Sequence, residues 1–235
     1  MPFTRTTLRF LRGLKRNNVR SWFEARRPEY EGEVRDPMRA LIEEMDVRLA
    51  RFAPEITGHP KRSMFRIYRD VRFSKDKSPY KTHAACWFHH RDADRRVGSE
   101  AEGGGAGFYF QIAPVDSFTG GGIWMPARPV LNRIRDAIAE DANGFDRVAR
   151  SPRLLRRFGG LSDEDVLKRM PRGFAETHPV ARWLRHQSFV SGRTLTDVQA
   201  ISPRLPALLE RDFEAMLPLV RWINAALGLR PATRR

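Results

Sequence analysis

Residues 66–81 carry more chemistry than any other stretch of the chain: three Arg, three Lys, two Asp, two Ser and two Tyr in sixteen positions. Arginine offers a planar fork that pairs with phosphate or carboxylate, and lysine a compact point charge. Arg66, Arg69, Arg72, Lys75, Lys77 and Lys81 are therefore candidate anion ligands, with Tyr80 among them. Asp70 and Asp76 can orient these cations through charge-assisted hydrogen bonds, or serve as a general base beside a bound anion. His83, two residues past Lys81, is the third acid–base candidate. The pattern points to a pre-organised anion site, phosphate foremost. A salt-bridge network tying a strand to flanking helices would use the same residue types.

Three further positions join the candidate ligand set. Gln111, between Phe110 and Ile112, shares a face with Tyr109 and either meets a ligand or satisfies a neighbouring backbone group. Gly121 is the centre of Gly120-Gly121-Gly122, a backbone nest for an anion or else a bulge or tight corner, and Trp124 follows closely. No Walker lysine follows the glycines, which excludes a P-loop. His89 and His90 are adjacent, so on a strand they face opposite ways and cannot share a metal. His59, His178 and His186 are isolated. HExxH, GxSxG, EF-hand and Cys–His signatures are missing from the sequence, and neither a metal nor a cofactor is expected.

Composition sets the bounds. The chain has 235 residues, 41% hydrophobic, with 15 Phe and 5 Trp, which are globular values. One cysteine, Cys86, rules out a disulfide framework and fits a reducing compartment. No 18-residue apolar window and no apolar N-terminal run occur, so the expectation is a cytoplasmic protein without a membrane span. Net charge is +15, which suits a polyanion partner, although 37 of the 43 basic residues are Arg, as a GC-rich genome produces. Lysine is the sparser cation, yet four of its six positions (Lys61, Lys75, Lys77, Lys81) fall between 61 and 81.

These residues need a frame to hold them. Thr6 or Thr7 can cap a first helix bearing Leu8, Leu11 and Leu14, and Asn18 a second carrying Trp22 and Phe23. Asp36-Pro37 opens a helix whose stripe is Met38, Leu41, Ile42, Met45, Leu49 and Phe52. Alternation predicts strands over 65–73, 84–90, 107–114, 117–124 and 188–195, with a long hairpin loop over 91–106. Helical spacing returns after Pro126, again over 145–158 on an Arg-rich face, and in a last helix over 203–227 kinked at Pro218 and stopped by Gly228. Helices, then strands, then helices describe an α+β fold of one domain, 1–235: a central, mainly antiparallel sheet packed by N-terminal and C-terminal helices.

The 66–81 block, followed by Gly107-Phe108-Tyr109-Phe110-Gln111-Ile112 and by Phe118-Thr119-Gly120-Gly121-Gly122-Ile123-Trp124-Met125-Pro126, resembles the family catalogued as domain of unknown function 2461. The opening from Leu11 to Phe23 is similar to that family's start. The resemblance implies one domain, cytosolic life and the importance of the block, and it lends no reaction.

The leading expectation is a phosphate-binding domain whose partner is nucleic acid or a nucleoprotein complex, since aromatics (Phe65, Tyr68, Phe73, Tyr80) lie among the cations. Residues Arg147 to Arg157 would extend that surface. The alternatives are an enzyme acting on a small phosphorylated or carboxylated metabolite, and a non-catalytic scaffold whose block is structural. The oligomeric state is not legible in the sequence.

Overall fold

The computed structural model describes residues 3–72, 74–93 and 103–232. The chain opens with helix α1 (Arg5–Arg16), capped by Thr4 and Thr7 in a reciprocal capping box, one turn earlier than the expected Thr6 or Thr7 cap. Short helices α2 (Arg20–Glu24) and α3 (Arg27–Tyr30) follow, and a π-helical stretch, Glu31–Arg35, joins α3 to α4 (Asp36–Phe52). The Asp36-Pro37 start is thus internal to a continuous helical run, because the π turn feeds straight into Pro37, whose missing N–H the wider turn tolerates. Asn18 does not cap α2; Val19 occupies that position without a side-chain bond.

Five strands form one antiparallel sheet in sequence order: β1 (Ile56–Thr57), β2 (Ala84–His90), β3 (Gly107–Ile112), β4 (Ser117–Ile123) and β5 (Phe189–Leu195). The predicted antiparallel α+β architecture is therefore what the chain adopts. Between β4 and β5 stand α5 (Arg128–Glu140), α6 (Ala142–Ala149), α7 (Pro152–Phe158) and the single turn α8 (Ala181–Leu184). The helix expected over 145–158 is two helices, because Ser151 caps a new start with Pro152 in its first turn. After β5 come α9 (Asp197–Ala200) and the long α10 (Leu205–Ala226), which Pro218 does not interrupt and after which Gly228 turns the chain at φ 77°.

The core lies between one sheet face and the helices. Phe108 stacks on Phe213 of α10 at 4.5 Å, and Phe88 packs beside them. The three glycines of β4 pair in register with β3 on one side and β5 on the other. They form neither the expected bulge nor an anion nest, since the ladder spends their backbone groups. Close packing explains them instead: a Cβ on Gly121 would stand 2.9 Å from the Phe108 ring and 3.1 Å from Met216 Sδ. Gly122 sits at φ 128°, and a Cβ there would meet the Phe189 carbonyl at 2.0 Å. Buried Asp212 of α10 bonds Arg157 of α7 and, at 3.0 Å, Arg193 of β5, joining helix layer to sheet.

The opposite sheet face carries Trp87, Tyr109, Gln111 and Phe118, which alternate with the core residues of their strands. Phe118 lies across Gly120 and Gly192. Among the described residues no helix is long and apolar enough to cross a membrane. The expected 91–106 loop lies mostly outside the described residues, as does Phe73.

Candidate functional site

The 66–81 block is not a regular strand. Residues 63–65 extend the outer edge of β2, with Phe65 N–H donating to Ala85 and Trp87 N–H to Ser63, both at 2.9 Å. The chain then pairs back on itself: Lys81 N–H donates to Ile67 at 2.7 Å, and Arg69 N–H to Pro79 at 2.9 Å. Pro79 lacks an N–H, so the ladder stops there and the 70–78 tip is irregular. Local charge pairing holds that tip. Arg72 forks onto Asp70 (2.7 Å), Arg69 pairs with Asp76, Ser78 Oγ donates to Asp76 (2.5 Å) and Lys77 Nζ to the Val71 carbonyl (3.0 Å). The Arg72 bond pulls the Asp70 carboxyl down to about 2, while Ser78 first and Arg69 second hold Asp76 lower still. Carboxylates so stabilised are poor proton acceptors at neutral pH. Lys75 is exposed at the same tip.

Tyr80 roots the hairpin. It is buried, stacked on Phe23 at 4.2 Å, and its backbone N–H and carbonyl both bond the Asn18 side chain. Its ring is thus an anchor, and burial raises its hydroxyl pKa.

Beside the hairpin root a groove of about 250 Å³ is lined by Arg27, Arg35, Arg39, Lys61 and Arg66, with Tyr30, Tyr68 and Phe65 between them and Glu31 as the lining acid. Arg27, Glu31, Arg35 and Arg39 recur every four residues along the α3–π–α4 run, which brings them to one side of it. Lys61, Phe65, Arg66 and Tyr68 form the facing wall. Arg27 forks onto Glu24 and reaches the Tyr68 hydroxyl, and Arg35 pairs with Glu31 and Asp36. Arg39 Nε is buried without a partner, and Lys61 and Arg66 have no ion pair among the described residues. Burial pushes the Tyr30 hydroxyl up to about 12 against the opposing Arg35 and Arg39.

The groove meets the opposite sheet face through Phe65, whose ring lies 6.1 Å from that of Tyr109, itself 6.4 Å from Phe118. Lys81 Nζ sits 5.3 Å above Phe65. Burial and the nearby Arg66 lower the Lys81 pKa; burial, then Lys81, lower that of His83 against the pull of Asp116. Tyr109 donates to Gln111 Oε1, and Gln111 donates to the Asp116 carbonyl, both at 2.8 Å.

The sequence candidates thus separate. Arg66, Lys81, His83 and Gln111 gather around the Phe65–Tyr109 platform. Arg69, Arg72, Lys75, Lys77, Asp70 and Asp76 belong to the hairpin tip, and Tyr80 to its root. Gly121 lies under α10, and Trp124 is exposed beyond β4, 55% accessible. Arg150, Arg153 and Arg157 of the supposed second basic surface are paired with Asp146, Glu214 and Asp212. Sequence reading missed Arg27, Arg35 and Arg39; with Glu31 their four-residue spacing was visible, but reading Asp36-Pro37 as a helix start cut the run between them. Among the described residues no His, Cys, Asp or Glu cluster suits a metal ion.

Neither the curated proteins nor the solved structures contain a significant match to the chain. The sequence profile described as "Conserved hypothetical protein (DUF2461)" matches residues 6–222, nearly the whole chain, and the protein belongs to that family.

Proposed function

We propose that the protein is a cytoplasmic phosphate-backbone-binding module whose partner is single-stranded RNA or DNA, alone or within a nucleoprotein complex. The observation that carries this reading is the groove itself: five cations and two tyrosines face one acid, and the groove runs out onto a half-buried row of Phe65, Tyr109 and Phe118. Cations that track a backbone beside aromatic faces are the general chemistry of single-strand binding without base reading. The ion-paired state of Asp70 and Asp76 favours binding over proton transfer at the block. The experiment is a salt series with labelled oligonucleotides. Log affinity falling linearly with log salt, by about 0.7 per neutralised phosphate on single strands, supports the proposal. Weak binding to every strand even at low salt overturns it.

A further inference from the structure

A second cavity, of about 460 Å³, lies away from the groove, between the start of α5 and the segment leading to α8. Its charged lining is Arg128, Arg135 and Arg172, and no acid lines it. None of the three arginines pairs with a described carboxylate. Arg135 is the telling residue. It is only 5% accessible, yet among the described residues its Nη2 donates just to the His186 carbonyl (2.9 Å) and its buried Nε has no hydrogen-bond partner. A guanidinium removed from water without a counter-charge is strongly disfavoured unless something else meets it. Burial first, and Arg128 second, lower its pKa. Of the carboxylates nearby in sequence, Asp165 accepts from Ser188 and Glu176 pairs with Arg185.

The cavity also receives the N-terminal turn of α5. This thirteen-residue helix has no side-chain cap and no acid in its first turn, so its positive end is uncompensated. The remaining wall combines apolar Leu131, Leu167 and Phe174 with the polar side chains of Asn132 and Gln187. The volume is that of a site for a small organic molecule. Three forks and a helix end without an opposing acid fit a dianion better than a monoanion, and phosphate matches the arginine fork.

We infer that this cavity binds the phosphate of a small organic phosphomonoester, with Arg135 at its floor, Arg128 and Arg172 at its mouth, and the ester's apolar body against Leu131 and Phe174. The site shares no lining residue with the groove and stands or falls independently of it.

The test uses phenyl phosphate, with inorganic phosphate, benzoate and phenol as comparisons, followed by calorimetry and thermal unfolding of the full chain. Phenyl phosphate should bind saturably and raise Tm. Arg135→Leu, Arg128→Ala and Arg172→Ala should each weaken it about ten-fold or more, while the Lys61→Ala/Arg66→Ala groove variant leaves it unchanged. The last two arginines are exposed, so their variants report even if Arg135→Leu fails to fold. Binding that disappears only in the groove variant, or is indifferent to Arg128 and Arg172, overturns the inference. So does benzoate binding as tightly as phenyl phosphate, or no saturable binding at all.

Discussion

Asn18 holds both backbone polar groups of Tyr80: its Nδ2 donates to the carbonyl at 2.9 Å and its Oδ1 accepts from the N–H at 3.0 Å. The side-chain amide thereby stands in for a neighbouring strand, at the point where Pro79 ends the hairpin ladder. Asn224 does the same for Ala106, at 2.8 and 3.1 Å. In both cases an asparagine on or beside a helix closes the edge of a segment distant in sequence. Asn18→Ala should destabilise the protein by about 2 kcal/mol, since it orphans a donor and an acceptor together. Tyr80→Phe should be nearly neutral, because the hydroxyl makes no hydrogen bond among the described residues. Urea unfolding of the two variants checks both.

In the groove, Lys61→Ala and Arg66→Ala should leave stability within about 0.5 kcal/mol, as expected for exposed, unpaired positions. Each should reduce the salt slope of single-strand binding by about 0.7. A loss of affinity with an unchanged slope would place the contact elsewhere.

Acid should weaken the fold through histidine. The His83 and His186 pKa values are lowered from 6.5, both mainly by burial. Below the ordinary value the unfolded chain takes up protons that the folded chain refuses, so stability is full above about pH 6.5 and declines as pH falls toward the folded values. His83→Gln should flatten part of this decline in urea titrations between pH 7.5 and 5.5. The aspartates act lower: the Asp70–Arg72 pair should persist until its carboxyl titrates near pH 2, which carbon-detected NMR can follow.

Asp212→Ala strips the counter-charge from Arg157 and Arg193 at once. A loss of about 3 kcal/mol is expected, as for breaking a buried ion pair from one side. Asp212→Asn should recover only a part of it, because one amide oxygen still accepts while the Nδ2 in place of the other oxygen can only donate. Chemical denaturation separates the two.

The β4 glycines should rank by what they touch. Gly122→Ala meets a carbonyl at a positive φ and should lose at least about 2 kcal/mol. Gly121→Ala meets side chains rather than backbone, the Phe108 ring at 2.9 Å and Met216 Sδ at 3.1 Å, and should lose less. Thermal unfolding gives the order.

Much of this frame was legible because its periods are clean. Phe108, Phe110 and Ile112 alternate with Tyr109 and Gln111, which placed β3, and Leu205, Leu209, Phe213, Met216 and Val220 placed α10. The block misled because alternation of Phe65, Ile67 and Val71 cannot say where the partner is, and Pro79 denies that partner an N–H. Asn18 was read as a cap because capping is local, whereas its true bond spans to Tyr80. The second cavity did leave a trace. Leu131, Ile134, Arg135 and Ile138 follow one helical stripe, and a lone arginine in such a stripe marks a buried charge. Nothing in sequence spacing could join it to Arg172, which reaches the cavity through tertiary folding.

The glycines of β4 also bear on the order in which the molecule can be completed. Gly121 among them is bare where α10 packs on it, yet it is synthesised long before that helix. Until α10 emerges, Phe88, Phe108 and the bare backbone of Gly121 have no cover, and a ribosome-bound intermediate presents this greasy, side-chain-poor surface to whatever is near. Newly made chains should therefore depend on chaperone shielding during that interval, and substitutions that slow the docking of Met216 or Phe213 should lower the yield of soluble protein more than they lower the stability of molecules that have finished folding.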